Sequence, residues 1–481
     1  MNSDRTKTTR ALGWDLFGNF GNQAISLILS VILARLLSPS EFGLVGMSMV
    51  VVAINQVLIK GGFAPALIQS DDTSSLTYSS VFYINVLVSI VMTGIIFIAA
   101  PSFGVFFGYP IITEILRWLS ISMLLNSLVV VHLAHLNKQM DFKSLTTRSL
   151  VAQIAGGTVA IIMALNGFGV FSLVAQNIVT SLVSVIVIWS VVKWKPKLEF
   201  SWFEVRKLSK FSLYVFFGST INKVMHQLDA LVIGKFFNAD TLGYYNRANG
   251  LNNMITQNSS TTLSRVFFPA LVKVKSDTLK FDSVFLKVLD VAGTLAVFLS
   301  ANLYMAGSEL IIGLFGQRWV DSVPIFQILI LKAFTYPMGV MVINAFMAKG
   351  RAKENFHVGN VRKGFQLIPF LFAYTHGLNG YLYSNVVVAL FLWIYSAYQT
   401  HRILKISMNR QLLSVLPQLA FSLLVVFFLQ LIFSNNAHVL YTIMKVGVYS
   451  VGYLFFLYYI NSPVIFEGRL YWKTIKRKFN V

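Results

Sequence analysis

The chain has 481 residues, of which 56% are hydrophobic and only 12% are charged. A soluble domain carries about a quarter charged residues, so this composition excludes an ordinary soluble enzyme. The net charge of +21 does not indicate nucleic-acid binding, because the basic residues lie in short stretches between apolar runs rather than on one soluble face. The absence of cysteine excludes disulfides, thiolate zinc sites and a cysteine nucleophile.

Apolar stretches of about 20 residues, the length that spans the hydrocarbon of a bilayer, recur along the whole chain. We count about fourteen and predict an all-α, polytopic membrane protein. The first stretch follows Arg5, Lys7 and Arg10, but it contains Asp15 and lacks a cleavage site, so we interpret it as a retained membrane helix rather than a signal peptide. The predicted spans are 13–34, 42–68, 79–101, 115–136, 148–166, 168–192, 209–235, 243–271, 284–305, 323–347, 358–376, 378–400, 412–433 and 439–460.

The loops between these spans alternate in charge. Loops on the side of the N-terminus are rich in Lys and Arg, whereas the opposite loops hold little beyond Arg35 and Arg318. Since cytoplasmic loops retain basic residues, both termini are predicted to be cytoplasmic and the number of spans to be even. No stretch outside the membrane is long enough for a separate catalytic domain, and no P-loop is present, so we predict that the protein is not an enzyme.

An internal repeat joins the two halves of the chain. The residues Ala34 to Gly43 align without gaps on Gly234 to Gly243, and Phe17-Gly18 aligns on Phe217-Gly218. Parallel repeats of this kind are typical of transporters whose binding site lies where two bundles meet. The repeat predicts a six-helix lobe over 1–200, a second six-helix lobe over 201–405, and two additional helices with a basic tail over 406–481.

Polar residues line one face of the first helix in each half. At about 100° per residue, the polar side chains of each helix fall within an arc of roughly 100°. Hydrocarbon cannot solvate such a stripe, so it should face a wet cavity; polar packing between helices is the alternative. The stripes comprise Asp15, Asn19, Asn22, Gln23, Ser26 and Ser30 in the first half, and Ser219, Asn222, Lys223, His226 and Asp229 in the second.

Cations at membrane depth outnumber acids. Arg247 and Arg265 are 18 residues apart and therefore share a helix face, about 27 Å apart along the axis. Clustered cations favour an anion such as a phosphate or diphosphate, although ion pairs with Asp229 or Asp290 and snorkelling to the interface are alternatives. The predicted substrate-binding residues are Lys60, Lys223, Arg247, Arg265, Lys332, Asn22, Asn222, Gln23 and His226.

Metal and cofactor signals are weak. His132 and His135 share a helix face but have no carboxylate nearby in their segment, so ordinary packing is favoured over a metal site. We predict no metal and no cofactor, and the sequence leaves open whether H+ or Na+ is a coupling ion.

Several motifs resemble the Wzx-type polysaccharide flippases of the MOP exporter superfamily. They are ILARLLSPSEFGLVGM, GGFAPALIQSDD, APSFGVFF, MDFKSL and ALNGFGVFSLVAQ; the likeness is dense in the first half and weak over the last two spans. The resemblance implies two pseudo-symmetric, MATE/MurJ-like lobes around a cationic cavity. It also implies transfer of undecaprenyl-diphosphate-linked oligosaccharide from the cytoplasmic to the periplasmic leaflet of a bacterial inner membrane, for O-antigen, capsule or exopolysaccharide synthesis. Membrane lipids and other polysaccharide assembly proteins are the further expected partners, with no nucleic acid.

Two other functions fit parts of the pattern. A multidrug or metabolite exporter of the same superfamily would depend on an embedded acid such as Asp15 or Asp229. A membrane glycan polymerase would need a large outer loop with catalytic residues, whereas the outer loops here are short.

Overall fold

Helices are the only regular elements in the part of the chain that this computed structural model describes, which is 2–60, 62–70, 74–433 and 439–463. The side chains at 2–12, 58, 60, 258 and 259 lie outside that description. Eleven helical stretches of the described chain are long and apolar enough to cross a bilayer. The protein is therefore a multi-pass, all-α membrane protein, as predicted.

The chain divides into two compact units, Met1–Asn246 and Arg247–Val481. In the first unit α4 packs along α5, α6 along α7 and α1 along α6, while α2 packs along α8. The helices that begin in this unit are α1 (Asn2–Leu36), α2 (Pro39–Lys60), α3 (Phe63–Gln69), α4 (Ser75–Phe107), α5 (Ile111–Lys138), α6 (Phe142–Leu165), α7 (Val170–Val191), α8 (Trp202–Phe236) and α9 (Ala239–Lys273).

The second unit is organised around α10, which packs against α12, α13, α17 and α18. Its core is aromatic, with Phe281, Phe334, Phe346 and Tyr453 buried together. The remaining helices are α10 (Thr278–Met305), α11 (Gly307–Phe315), α12 (Ser322–Leu331), α13 (Thr335–Ala348), α14 (Ala352–Phe365), α15 (Ile368–Leu404), α16 (Met408–Leu413), α17 (Leu416–Ile432) and α18 (Val439–Tyr459).

The predicted count of about fourteen spans is not confirmed. Each predicted stretch contains helix, with breaks within 42–68 and 323–347, but α8 and α9 are not among the eleven apolar stretches, and α14 and α15 together count as one of them, over Ala352–Leu404. These two helices are less apolar because α8 carries the second-half stripe and α9 carries the Asn-rich segment that follows it. The predicted lobe boundaries at 200 and 405 stay predictions, since the compact units reflect packing rather than the repeat.

Glycines mark two of the breaks between helices. Gly62 adopts φ 69 between α2 and α3, and a Cβ there would lie 2.2 Å from the Ser212 carbonyl oxygen, so this position requires glycine. Gly377, with φ 67, bends α15 directly after His376, where the sequence separates two predicted spans. The predicted span 323–347 lacks the break between α12 and α13, although Pro337 in the first turn of α13 is a local signal for it.

Candidate functional site

The polar stripe of α8 contains a lysine that lacks a side-chain partner. Lys223 is half-buried and forms no hydrogen bond or ion pair with any described residue. Asn222 and His226, on the same face, are exposed and equally without partners in the described part of the chain. Since hydrocarbon does not solvate an ammonium group, these side chains require water, a lipid headgroup or a ligand.

The acid at the end of this stripe does not neutralise Lys223. The Asp229 carboxylate accepts a hydrogen bond of 2.7 Å from the Tyr245 hydroxyl, and Asp229 forms no ion pair with any described residue. Among the described residues, Asp229 therefore pairs with no membrane-depth cation.

The matching stripe of α1 is at least partly a packing surface. The Asn22 amide donates to the Ser149 hydroxyl of α6 at 2.9 Å and to the Gly18 carbonyl at 2.8 Å. Gln23 is half-buried beside it and also has a partner. The two stripes share a sequence register, but the structure gives the position of Asn22 a different environment from that of Asn222.

Arg247, at the start of the second unit, is held by aromatic rings. Its guanidinium carbon lies 4.7 Å from the centroid of Phe315 and 4.8 Å from that of Trp319. Such cation–π contacts stabilise a desolvated arginine by about 2 kcal/mol or more. Arg247 therefore packs against this aromatic pair, and its predicted substrate contact stays a prediction.

The other predicted cations have varied surroundings. Lys332, at the end of α12, donates to the Asn385 amide oxygen of α15, which anchors the helix break that the predicted span lacks. Arg265 is exposed on α9 and has a partner. The side chain of Lys60 lies outside the described residues.

The repeat register appears in the helix junctions of the first unit. The junction between α1 and α2 falls at 37–38 and that between α8 and α9 at 237–238, each separated by the same 200 positions as the sequence match. Ser38 caps α2 through Glu41, and the Asn238 side chain accepts from the Thr241 backbone amide at 2.7 Å. The sequence repeat is therefore also a repeat of local structure.

At these junctions the two helix starts approach each other closely. A Cβ at Gly43 would lie 1.7 Å from the Ala239 carbonyl oxygen, and a Cβ at Gly243 would lie 2.0 Å from the Pro39 carbonyl oxygen. The contact is reciprocal, because each glycine of the aligned pair faces the first residue of the other helix. Only glycine permits this backbone approach.

Sequence reasoning missed a buried polar network on the last two helices. Ser422 and Tyr449 share a 2.7 Å hydrogen bond, the Tyr453 hydroxyl donates to the Thr294 carbonyl at 3.0 Å, and Thr442 donates to Glu309 at 2.6 Å. A signal is present in the sequence, since Gln418 with Ser422 and Tyr449 with Tyr453 are each four residues apart and share a helix face. The family motifs are weak over these spans, so they do not point to the network.

The histidine pair is part of an aromatic cluster. His132 is fully buried, with the Trp189 and Trp194 ring centroids at 4.9 and 5.0 Å from its own. Within the described residues there is no group of three or more His, Asp or Glu side chains arranged to hold a metal ion.

The fold is of the MATE/MurJ type. A solved structure of the lipid II flippase MurJ in an inward closed conformation superposes with a TM-score of 0.75 at 14% identity, covering 94% of this chain and 100% of that one. An inward-facing multidrug resistance MATE transporter of the MOP superfamily gives a TM-score of 0.60 at 14% identity, covering 80% of this chain and 95% of that one. Similarity at this identity establishes the fold alone.

The sequence places the chain in a family within that class. A family described as polysaccharide biosynthesis protein matches residues 32–324, more than half of the chain, and the protein belongs to it. The chain is 27% identical to the succinoglycan biosynthesis transport protein ExoT of Rhizobium meliloti over 67% of this chain and 66% of that one. It is 25% identical to the lipopolysaccharide biosynthesis protein WzxC of Escherichia coli over 76% of this chain and 74% of that one.

Proposed function

We propose that this protein is a flippase that moves a polyprenyl-diphosphate-linked oligosaccharide from the cytoplasmic to the outer leaflet of a bacterial inner membrane, for the synthesis of a cell-surface polysaccharide. The family, the biosynthetic roles that the names of ExoT and WzxC state and the MurJ-like fold support it. We further propose that both termini are cytoplasmic and that the protein acts without catalysing a covalent reaction.

The observation that carries the proposal is the unsatisfied face of α8. Lys223 supplies a positive charge at membrane depth that no described residue neutralises, with Asn222 and His226 on the same face. A diphosphate provides oxygens for charge-assisted hydrogen bonds from such a set. We propose that Lys223, His226 and Asn222 contact the diphosphate, with Arg265, Lys60 and Lys332 as further candidates, and that Asn22, Gln23 and Arg247 contribute through packing.

The charge of the cargo also supplies a driving force. With the cytoplasm negative, outward movement of two negative charges is favoured by roughly 4–5 kcal/mol at 100 mV. In this proposal the membrane potential contributes to transport whether or not an ion is exchanged.

Replacement of Lys223 tests the proposal in cells. In a strain that depends on this protein for its surface polysaccharide, Lys223→Ala should reduce export by roughly tenfold or more, because a charge-assisted contact contributes about 1.5–3 kcal/mol. Lys223→Arg should retain much of the export, since it keeps the charge. Protein levels in the membrane are measured in parallel.

Lys280→Ala is the matched control. Lys280 is an exposed lysine at the start of α10 that pairs with Asp277 at 3.1 Å, so its charge already has a partner and its loss should leave export unchanged. Full export by Lys223→Ala at normal protein levels would contradict the proposed diphosphate contact. Transport of organic cations, with dependence on Asp15 or Asp229, would instead favour a multidrug exporter.

A further inference from the structure

The second unit contains a cavity with a partly polar lining. It has a volume of about 550 Å³ and lies along the first half of α10, between this helix, the α16 segment and the residues that follow α18. Its polar lining includes Asp282, Lys287, Asp290 and Arg410. Neither the family motifs nor the proposed flippase function accounts for this cavity.

Asp290 lies on its wall and is surrounded by hydroxyl groups. Its Oδ1 atom accepts hydrogen bonds from the Ser462 hydroxyl at 3.1 Å and from the Thr294 hydroxyl at 3.3 Å. Although Lys287 and Arg410 line the same cavity, Asp290 forms no ion pair with any described residue. A carboxylate removed from bulk water is costly unless a charge or a proton compensates it.

A second buried side chain contacts the same threonine. Gln418 is only 1% exposed, and its Oε1 atom has no hydrogen-bond partner among the described residues. Its amide nitrogen donates to the Thr294 hydroxyl at 3.5 Å. The Thr294 hydroxyl donates its one hydrogen to Asp290, so it can only accept a hydrogen bond from Gln418. The Gln418 amide must therefore point its nitrogen at Thr294, which leaves its oxygen without a donor among the described residues.

These groups form a set of oxygen donors with a single negative charge: the Asp290 carboxylate, the hydroxyls of Thr294 and Ser462, and the Gln418 amide oxygen. Carboxylate, hydroxyl and amide oxygens are ligands for hard cations. A monovalent ion would neutralise the one charge, whereas a divalent ion would leave a net positive charge among buried groups. We propose that Asp290, Thr294, Gln418 and Ser462 form a binding site for a monovalent cation such as Na+, reached through the cavity.

The site joins three parts of the second unit. Asp290 and Thr294 belong to α10, Gln418 to α17, and Ser462 follows the end of α18. Binding of a cation there would hold the last two helices against α10. Its use as a coupling ion rests on the proposed flippase function, but the binding itself does not.

Binding is tested on the purified full-length protein in detergent by its thermal stability. Unfolding is followed while Na+ replaces choline at constant ionic strength, with K+ as a second series. A specific site predicts a saturable rise in the unfolding temperature with Na+ or K+, because a ligand that binds the folded state stabilises it. In Asp290→Asn and in Gln418→Leu, the apparent dissociation constant should rise by roughly tenfold or more.

Three further variants separate binding from folding. Thr294→Ser keeps the hydroxyl and should retain the response, whereas Thr294→Val has a similar volume without it and should lose the response. Asp282→Asn, on the same cavity wall but outside the oxygen set, should retain it. The proposal is overturned if no cation raises the unfolding temperature above choline, or if Asp290→Asn responds like the unsubstituted protein.

The outcome does not depend on transport. A stabilising cation whose site is lost in Asp290→Asn, together with normal polysaccharide export by that variant, would establish the site and exclude its coupling role. If cations stabilise the protein but no preparation shows flippase activity, the cation site is supported and the proposed function is contradicted.

Discussion

At the scale of single side chains, the two halves of the repeat use matched positions differently. Asn22 donates to Ser149 and Gly18 and holds α1 against α6, whereas Asn222 is exposed and has no partner among the described residues. The polar pattern is the same in the sequence, and only the packing of the neighbouring helices distinguishes a structural amide from one available to a ligand.

This difference predicts opposite effects for the two asparagines. Asn22→Ala should lower the free energy of unfolding by about 1 kcal/mol, because it removes a side-chain hydrogen bond between helices. Asn222→Ala should leave stability unchanged and reduce polysaccharide export. Thermal unfolding in detergent and export in cells measure the two effects, and equal loss of stability in both variants would contradict this assignment.

His132 gives a second test at this scale. The imidazole is buried against the rings of Trp189 and Trp194, and its polar contact among the described residues is with the Leu128 backbone, so it contributes more shape than polarity to its aromatic cluster. His132→Phe should therefore be neutral or stabilising, whereas His132→Ala should cost about 3 kcal/mol or more through the cavity it leaves. A large loss of stability in the phenylalanine variant would show that the imidazole forms an essential polar contact.

At the scale of helices and their junctions, much of what the structure contains can be predicted from the sequence. Gly62 and Gly377 mark breaks because positive φ favours glycine, and the gapless repeat locates the matching junctions at 37–38 and 237–238. The local signal for the break after Lys332 is Pro337, in the first turn of α13, whereas the contact of Lys332 with Asn385, 53 residues away, is not visible in the sequence. The polarity of α8 is visible in the sequence, but which of its residues lack partners depends on packing.

The reciprocal glycine contact predicts a steric effect at the junctions. Gly43→Ala and Gly243→Ala should each destabilise the protein by about 3 kcal/mol or more, because the added methyl group meets backbone rather than a movable side chain. Gly94→Ala in α4 is the control, since nothing lies within 4 Å of the position that its methyl group would take and alanine favours helix. Unfolding temperatures that match the control would mean that the junction is more open than the structure indicates.

At the scale of the whole molecule, the loop charges predict the orientation in the membrane. Because the chain has no cysteine, single substitutions report exposure without background. Glu199→Cys, in the basic loop between α7 and α8, should be protected from a membrane-impermeant thiol reagent in intact cells. Gln317→Cys, beyond α11, should react. The reverse pattern would contradict cytoplasmic termini.

The central claim, that the protein transfers a lipid-linked oligosaccharide between leaflets, is tested most directly in a membrane of defined composition. The purified protein is reconstituted into liposomes that carry a polyprenyl-diphosphate-linked oligosaccharide in one leaflet, and the appearance of the oligosaccharide in the other leaflet is measured. We expect transfer that needs the protein, increases with a membrane potential that favours anion movement in the same direction, and falls by roughly tenfold in Lys223→Ala. Transfer no faster than in protein-free liposomes would contradict the assignment as a flippase.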